Sequence, residues 1–207
     1  MIFRTPFILP WLYPTLLWRG DAGAKEIFLT FDDGPVPGPT EFVLDTLKQA
    51  RVKATFFSIG DNVKKHPQIF QRIAEEGHAI GNHTFNHMKG WNNSDDDYLT
   101  NIEQCDLALG FKTYLFRPPY GRIKRSQVQK LGRYKIVMWD VLTSDYSKSM
   151  SPQKCLAGSI RATRPGSIVV FHDSLKAQRN MTYALPRYID HFLNQGFTFK
   201  SISISKI

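Results

Sequence analysis

The chain has 207 residues, 42% hydrophobic and 22% charged, a balance that suits one globular domain with a sizeable core and excludes a disordered, fibrous or low-complexity protein. Its 27 Lys and Arg against 18 Asp and Glu give a formal net charge of +9, which suits nucleic acid, an anionic membrane or an acidic polymer without choosing among them. Cys105 and Cys155 are its two cysteines, too few for a disulfide framework, and each falls in an apolar helical segment, so both are expected as buried free thiols, with a single disulfide between them as the alternative.

Residues 6–18 (PFILPWLYPTLLW) are apolar and follow Arg4, but three prolines interrupt them. The run is shorter than the ~20 residues that span a bilayer. Arg19 and Asp21 separate it from the small-residue site Ala22-Gly23-Ala24, so it reads poorly as a cleaved export signal. It is expected to remain as an N-terminal segment (1–24) packing against a domain over 25–207. Contact with a membrane surface through Trp11, Tyr13 and Trp18 is the alternative.

Residues 27–35 (IFLTFDDGP) read as a short buried strand that ends in two carboxylates, where Gly34 and Pro35 stop pairing. The turn can aim Asp32 and Asp33 at one site with different jobs. TEFVLDTLKQA (40–50) has apolar residues at helical spacing, with Thr40 expected as its cap. The rest alternates. Strand 53–60 leads to helix 62–77 and strand 78–83, helix 95–109 to strand 113–116, helix 125–132 to strand 135–139, helix 152–163 to strand 167–171, and helix 181–194 to strand 197–200. Seven strands alternating with helices predict a parallel α/β domain, barrel or open sheet.

The chemistry-bearing residues all follow predicted strand ends, which share one face in such a domain. His83 and His87 are four apart, and a helical turn there would let both bind one metal beside a carboxylate from another strand end. The prolines of Arg117-Pro118-Pro119-Tyr120-Gly121 stiffen a segment that can hold Arg117 against an acid and present the Tyr120 N–H to developing negative charge. His172, ending SIVVFH, is a candidate general acid that needs a carboxylate partner, with Asp145 and Asp140 both available.

TFDDGP (30–35), HTFNH (83–87), RPPYG (117–121), WDVLTSDY (139–146) and VFH (170–172) together resemble, in order and spacing, the motifs of the polysaccharide deacetylases, the NodB-like carbohydrate esterases of family 4. The resemblance implies a single-domain distorted (β/α)7 barrel with its catalytic domain over 25–207. It implies a metal-dependent hydrolase that removes N-acetyl groups from an N-acetylglucosamine-containing glycan of peptidoglycan or chitooligosaccharide type. An O-acetyl esterase on the same fold and a metal phosphoesterase are the alternatives. Residue by residue, it makes Asp32 the general base and Asp33, His83 and His87 the ligands of one divalent ion, zinc first, with cobalt or nickel as substitutes. It further has Arg117 orient Asp32, the Tyr120 N–H help hold the oxyanion, and His172 act as the acid paired with Asp145, ahead of Asp140. Trp139, Tyr146 and Val170 would line the substrate pocket. Leu142 and Tyr146 depart from the family's Asp-x-x-Asp-Trp pattern, and Val170 replaces a leucine. The expected partner is an acetylated glycan rather than nucleic acid, with no transmembrane segment and the oligomeric state open. With no convincing export signal, a cytoplasmic location is favoured slightly over an envelope-associated one.

Overall fold

A computed structural model describes residues 3–203, so the outermost ends of the two expected units, residues 1–2 and 204–207, lie outside the described residues. After a short helix α1 (Ile8–Leu12) comes β1 (Glu26–Asp32), whose alternation decides its two faces. Ile27, Leu29 and Phe31, all fully buried, point into the main core with α2 (Pro39–Ala50), while Phe28, Thr30 and Asp32 take the other side. β1 lies centrally between β2 (Thr55–Ser58) and β7 (Ile168–His172). The parallel strands run β5-β4-β3-β2-β1-β7-β6 across the sheet, with β3 Ala79–Asn82, β4 Leu115–Phe116, β5 Lys135–Ile136 and β6 Val141–Leu142. A final strand, β8 (Thr198–Phe199), pairs with the start of β1. The sheet curls into the distorted barrel that the motif set implies.

Helices fill the outer layer for reasons visible in their ends. Between β2 and β3 the expected helix 62–77 is two, α3 (Gly60–Lys65) and α4 (Pro67–Glu75), because Pro67 disfavours the helical region for His66, which sits at φ −131° and ψ 57°. α5 (Asp95–Leu109) matches its expected span: the Ser94 hydroxyl accepts from the Asp97 N–H at 3.1 Å, three aspartates occupy its first turn, and Gly110 ends it left-handed. α6 (Arg125–Lys130), α7 (Pro152–Ala162) and α8 (Gln178–Asn194) complete the layer. Cys105 in α5 and Cys155 in α7 are buried free thiols.

Two expectations need correcting. Thr40 does not cap α2; Gly38 occupies that place, its N–H donating to Glu41 Oε2 at 2.9 Å, and Thr40 turns inward to Asp173. Strand 135–139 stops at Ile136, and a separate strand, β6, pairs with β7 at the opposite end of the strand path from β5.

β5 and β6 end the strand path and would expose unpaired edges. The N-terminal segment covers both: Leu17 pairs with the chain beyond β5 through Leu17 N–H to Ile136 O at 2.9 Å and Met138 N–H to Leu17 O at 2.7 Å, and Leu142 N–H donates to Phe3 O at 2.9 Å. The apolar run therefore divides. Leu16, Leu17 and Trp18 are buried, whereas Phe7, Ile8, Trp11 and Leu12 lie exposed around α1. No described helix is long and apolar enough to cross a membrane.

Candidate active site

β1 and β7 are in register so that Asp32 stands beside His172 at the same level of the sheet. Both lie at the C-terminal ends of parallel strands, where side chains face the open mouth of the barrel. The next residue, Asp33, has a left-handed φ of +83°, and this kink is what turns two adjacent carboxylates toward one cleft. The turn is held from behind. Gly34 N–H donates to Asp173 Oδ1 at 3.0 Å, the Thr40 hydroxyl donates to Asp173 Oδ2 at 2.7 Å, and Asn62 Nδ2 donates to Asp33 O at 2.7 Å. Only glycine fits at position 34, since a Cβ there would lie 1.9 Å from Asp173 Oδ2.

Asp33, His83 and His87 form the one group of three among the described residues whose metal-ligating atoms all lie within 4.8 Å of one another. The loop from 83 to 87 is not the helical turn expected from the spacing. Thr84 and His87 both take positive φ, and the loop is tied down by Thr84 N–H to Asn82 Oδ1 and by Met88 N–H to the Thr84 hydroxyl, at 2.8 and 2.9 Å. The result brings the imidazole centroids to 5.1 Å.

The donor chemistry fits a divalent cation. His83 Nδ1 lies 2.7 Å from Arg117 O, and since a carbonyl only accepts, Nδ1 carries the proton and Nε2 keeps its lone pair. Burial, with the neighbouring His87 ring, pushes His83 down to about 3, and burial also lowers His87. Both rings are therefore neutral at physiological pH.

Arg117 is fully buried, an arrangement tolerable only because its guanidinium is satisfied on every side. Nη1 donates to Asp32 Oδ1 and the Thr30 hydroxyl, both at 2.7 Å, while Nε and Nη2 donate to the carbonyls of Val137 and Met138 at 3.1 and 2.9 Å. Phe57 lies under its plane at 4.2 Å. Asp32 thus has one oxygen engaged by Arg117 and the other available to the cleft. In the RPPYG segment Tyr120 has φ +61°; Gly121 and Arg122 N–H groups donate to Pro118 and Pro119, and the Tyr120 N–H has no acceptor among the described residues. Gly121 is required beside it, because a Cβ there would approach Trp139 to 2.6 Å at a φ of +65°.

His172 settles the choice of carboxylate. Its Nδ1 is 2.7 Å from Asp145 Oδ1 and its backbone N–H donates to Asp145 Oδ2 at 2.8 Å. Asp140 instead accepts from the Ser167 hydroxyl at 2.6 Å and faces arginines away from the cleft. Burial alone would pull His172 down, but the Asp145 charge and hydrogen bond, with smaller help from Asp33 and Asp32, push it up to about 9.

A polysaccharide deacetylase family model matches residues 19–139, more than half of the chain. The chain belongs to the polysaccharide deacetylase family. A peptidoglycan-N-acetylglucosamine deacetylase of Bacillus cereus is 38% identical over 89% of this chain and 70% of its own length. The peptidoglycan-N-acetylmuramic acid deacetylase PdaA of Bacillus subtilis is 36% identical over 89% of this chain and 73% of its own. Among solved structures, the Bc1960 peptidoglycan N-acetylglucosamine deacetylase bound to 4-naphthalen-1-yl-N-oxidanyl-benzamide superposes with a TM-score of 0.88 at 34% identity, covering 96% of this chain and 95% of that one.

In this family member the site opens into a cleft of about 540 Å³ lined by every proposed ligand and by Asp32 and His172. Trp139, Leu142, Tyr146 and Val170 also line it. Tyr146 meets the His172 ring edge-on at 4.9 Å, and Lys176 lies 5.3 Å over Tyr146. Sequence reasoning missed the supports. Thr30 sits two residues before Asp32 on the same strand face, so strand periodicity alone could have found it. Asp173 follows His172 directly, but nothing in the sequence points to its partners at Gly34 and Thr40, which lie 133 residues or more away. The cleft is also lined by three cations, Lys89, Arg122 and Lys176.

Sign and direction give a pH test of the His172–Asp145 pair. His172 can donate a proton only while it is protonated, so a rate that depends on it as acid should fall as pH rises through about 9. The same pairing stabilises the fold fully below the ordinary value of 6.5 and loses that contribution as pH passes about 9. Asp145→Asn removes the largest raising influence and should move the alkaline limb of the rate profile to lower pH. An unmoved limb would assign it to another group.

Proposed function

We propose that this chain hydrolyses the acetamido groups of a carboxylate-bearing, N-acetylglucosamine-containing glycan of the peptidoglycan type, releasing acetate and leaving the free amine. One observation carries the reading: a base and an acid, Asp32 and His172, stand in register on adjacent strands beside a neutral two-histidine, one-carboxylate set. Asp33, His83 and His87 would hold a divalent cation, zinc on the strength of the mixed nitrogen and oxygen donors, with cobalt or nickel as substitutes. That ion, when bound, supplies Lewis acidity and makes water acidic enough to attack near neutral pH.

The chain's own groups account for the proton movements. Arg117 fixes Asp32 so that its unengaged oxygen takes a proton from the attacking water. The Tyr120 N–H donates to the oxygen that gains charge as the carbonyl becomes tetrahedral. His172, its Nδ1–H held by Asp145, gives the Nε2 proton to the nitrogen as the C–N bond breaks. An amine is a poor leaving group without that proton, so a histidine pushed up to about 9 favours amide over ester hydrolysis. Lys89, Arg122 and Lys176 around the cleft favour a glycan bearing carboxylates over a neutral chitooligosaccharide.

The test is acetate release from peptidoglycan, N-acetylglucosamine oligomers and O-acetylated xylan, with chelator and after returning zinc. Acetate should appear from the N-acetylated glycans, vanish with chelator and return with zinc. Added salt should depress the peptidoglycan rate more steeply than the oligomer rate. Acetate from xylan alone would make the chain an esterase, and none from any substrate would overturn the reading.

A further inference from the structure

The catalytic reading leaves α1 and its surroundings without a task. None of the helix is buried, and Phe7, Ile8, Trp11 and Leu12 expose 90%, 46%, 76% and 42% of their surface. Residues four apart share a helix face, so these four make one contiguous apolar patch rather than scattered exceptions.

Beside the patch is a cavity of about 370 Å³ lined by Phe7 and Pro10 on one side and by Arg4, Arg19 and Arg164 on the other. The three guanidinium groups converge on a single carboxylate, Asp140, with Arg4 Nε, Arg19 Nε and Arg164 Nη2 each 3.5 Å from its oxygens. Asp140 is buried and already accepts from the Ser167 hydroxyl at 2.6 Å. One negative charge cannot balance three positive ones. Arg4 Nη2 and Arg19 Nε are buried with no hydrogen-bond acceptor among the described residues. Arg4, Arg19 and Arg164 nonetheless keep 39%, 25% and 44% of their side-chain surface exposed, so the cluster presents positive charge beyond what Asp140 takes up.

Exposed aromatic and aliphatic side chains next to arginines short of acceptor oxygens match the two layers of a bilayer surface: the boundary of the acyl chains and the anionic phosphodiesters above it. We propose that α1 and the arginine cluster around Asp140 form a docking surface for an anionic phospholipid bilayer, with Phe7 and Trp11 entering the headgroup region and Arg4, Arg19 and Arg164 engaging lipid phosphates. The chain's net charge of +9 complements such a surface. Trp139 lines both this cavity and the catalytic cleft, so docking would hold the cleft mouth close to the membrane. The proposal does not depend on the deacetylase reading.

The 207-residue chain is mixed with vesicles of neutral phosphatidylcholine, or of phosphatidylcholine containing phosphatidylglycerol, and bound protein is measured by sedimentation. The anionic vesicles should bind it at least ~10-fold more tightly, as expected from a few phosphate-engaged cations. Brominated acyl chains should quench tryptophan fluorescence. Phe7→Ser with Trp11→Ser alters only exposed side chains and no charge, and should weaken binding ~10-fold or more and reduce the quenching. Arg4→Gln with Arg164→Gln should reduce the preference for anionic lipid. Undiminished binding of the Phe7/Trp11 variant would reduce the effect to adsorption of a basic protein and overturn the proposal. So would equal binding to neutral vesicles, or a dimer in sedimentation equilibrium that the Phe7/Trp11 variant abolishes, since a second copy would then cover the patch.

Discussion

Asp32→Asn is expected to lower the rate of acetate release by ~100 to 10,000-fold, the range a positioned general base supplies, while the protein still binds one divalent ion per chain. The two halves of the result come from the kink at Asp33. Asp32 is engaged by Arg117 at 2.7 Å and Asp33 by the histidine side of the cleft, His87 Nε2 lying 3.3 Å from its Oδ1. An asparagine at 32 can still accept from Arg117 but cannot take a proton from water. Acetate assays and metal analysis of the same preparation decide it. Undiminished turnover would remove Asp32 from the reaction, and loss of the ion would show that the adjacent carboxylates share one role.

Arg117→Met should be the most destabilising single substitution at the site. It strips a buried carboxylate of its counter-charge and leaves the Thr30 hydroxyl and the Val137 and Met138 carbonyls without a donor. Breaking a buried pair from one side costs ~3–5 kcal/mol, which in a chain of this size lowers the melting temperature by roughly 10 °C. Adding Asp32→Asn to Arg117→Met removes the stranded charge, so the double variant should recover part of the loss. Urea denaturation of the four proteins measures the coupling. Strictly additive losses would mean that Arg117 stabilises the fold through its carbonyl bonds and the Phe57 contact rather than through Asp32.

The regular elements were legible because their signals are local. IFLTF between charged residues, the Ser94 cap with three following aspartates, and Pro152 after Ser151 each act within one turn or one strand. The site residues were legible through their grouping into motifs, but not their geometry. Asp33, Thr84, His87, Tyr120 and Ser144 all adopt positive φ without being glycine, and no propensity scale anticipates that. Such backbone persists where surrounding contacts hold it, here the bonds from Asp173, Asn62, Asn82 and Thr84. The rivalry between Asp140 and Asp145 was open for a similar reason. Two-residue β6 is too short to announce itself, yet its pairing with β7 sends Asp140 to the outer arginines and lets the chain return Asp145 to His172.

The cover over the two edge strands has a consequence for how the molecule assembles. Residues 3–20, made early, find their pairing partners at 136–142 and 166–167, made more than a hundred residues later. During synthesis the central strands β1, β2 and β3 can pair while the N-terminal segment has nothing to hold. Contacts of such long sequence separation form late and slowly. Until they form, the apolar stretch around Leu17 and the uncovered edges of β5 and β6 are both open to other chains. Docking of the N-terminal segment thus also closes two strand edges that could otherwise pair with other chains.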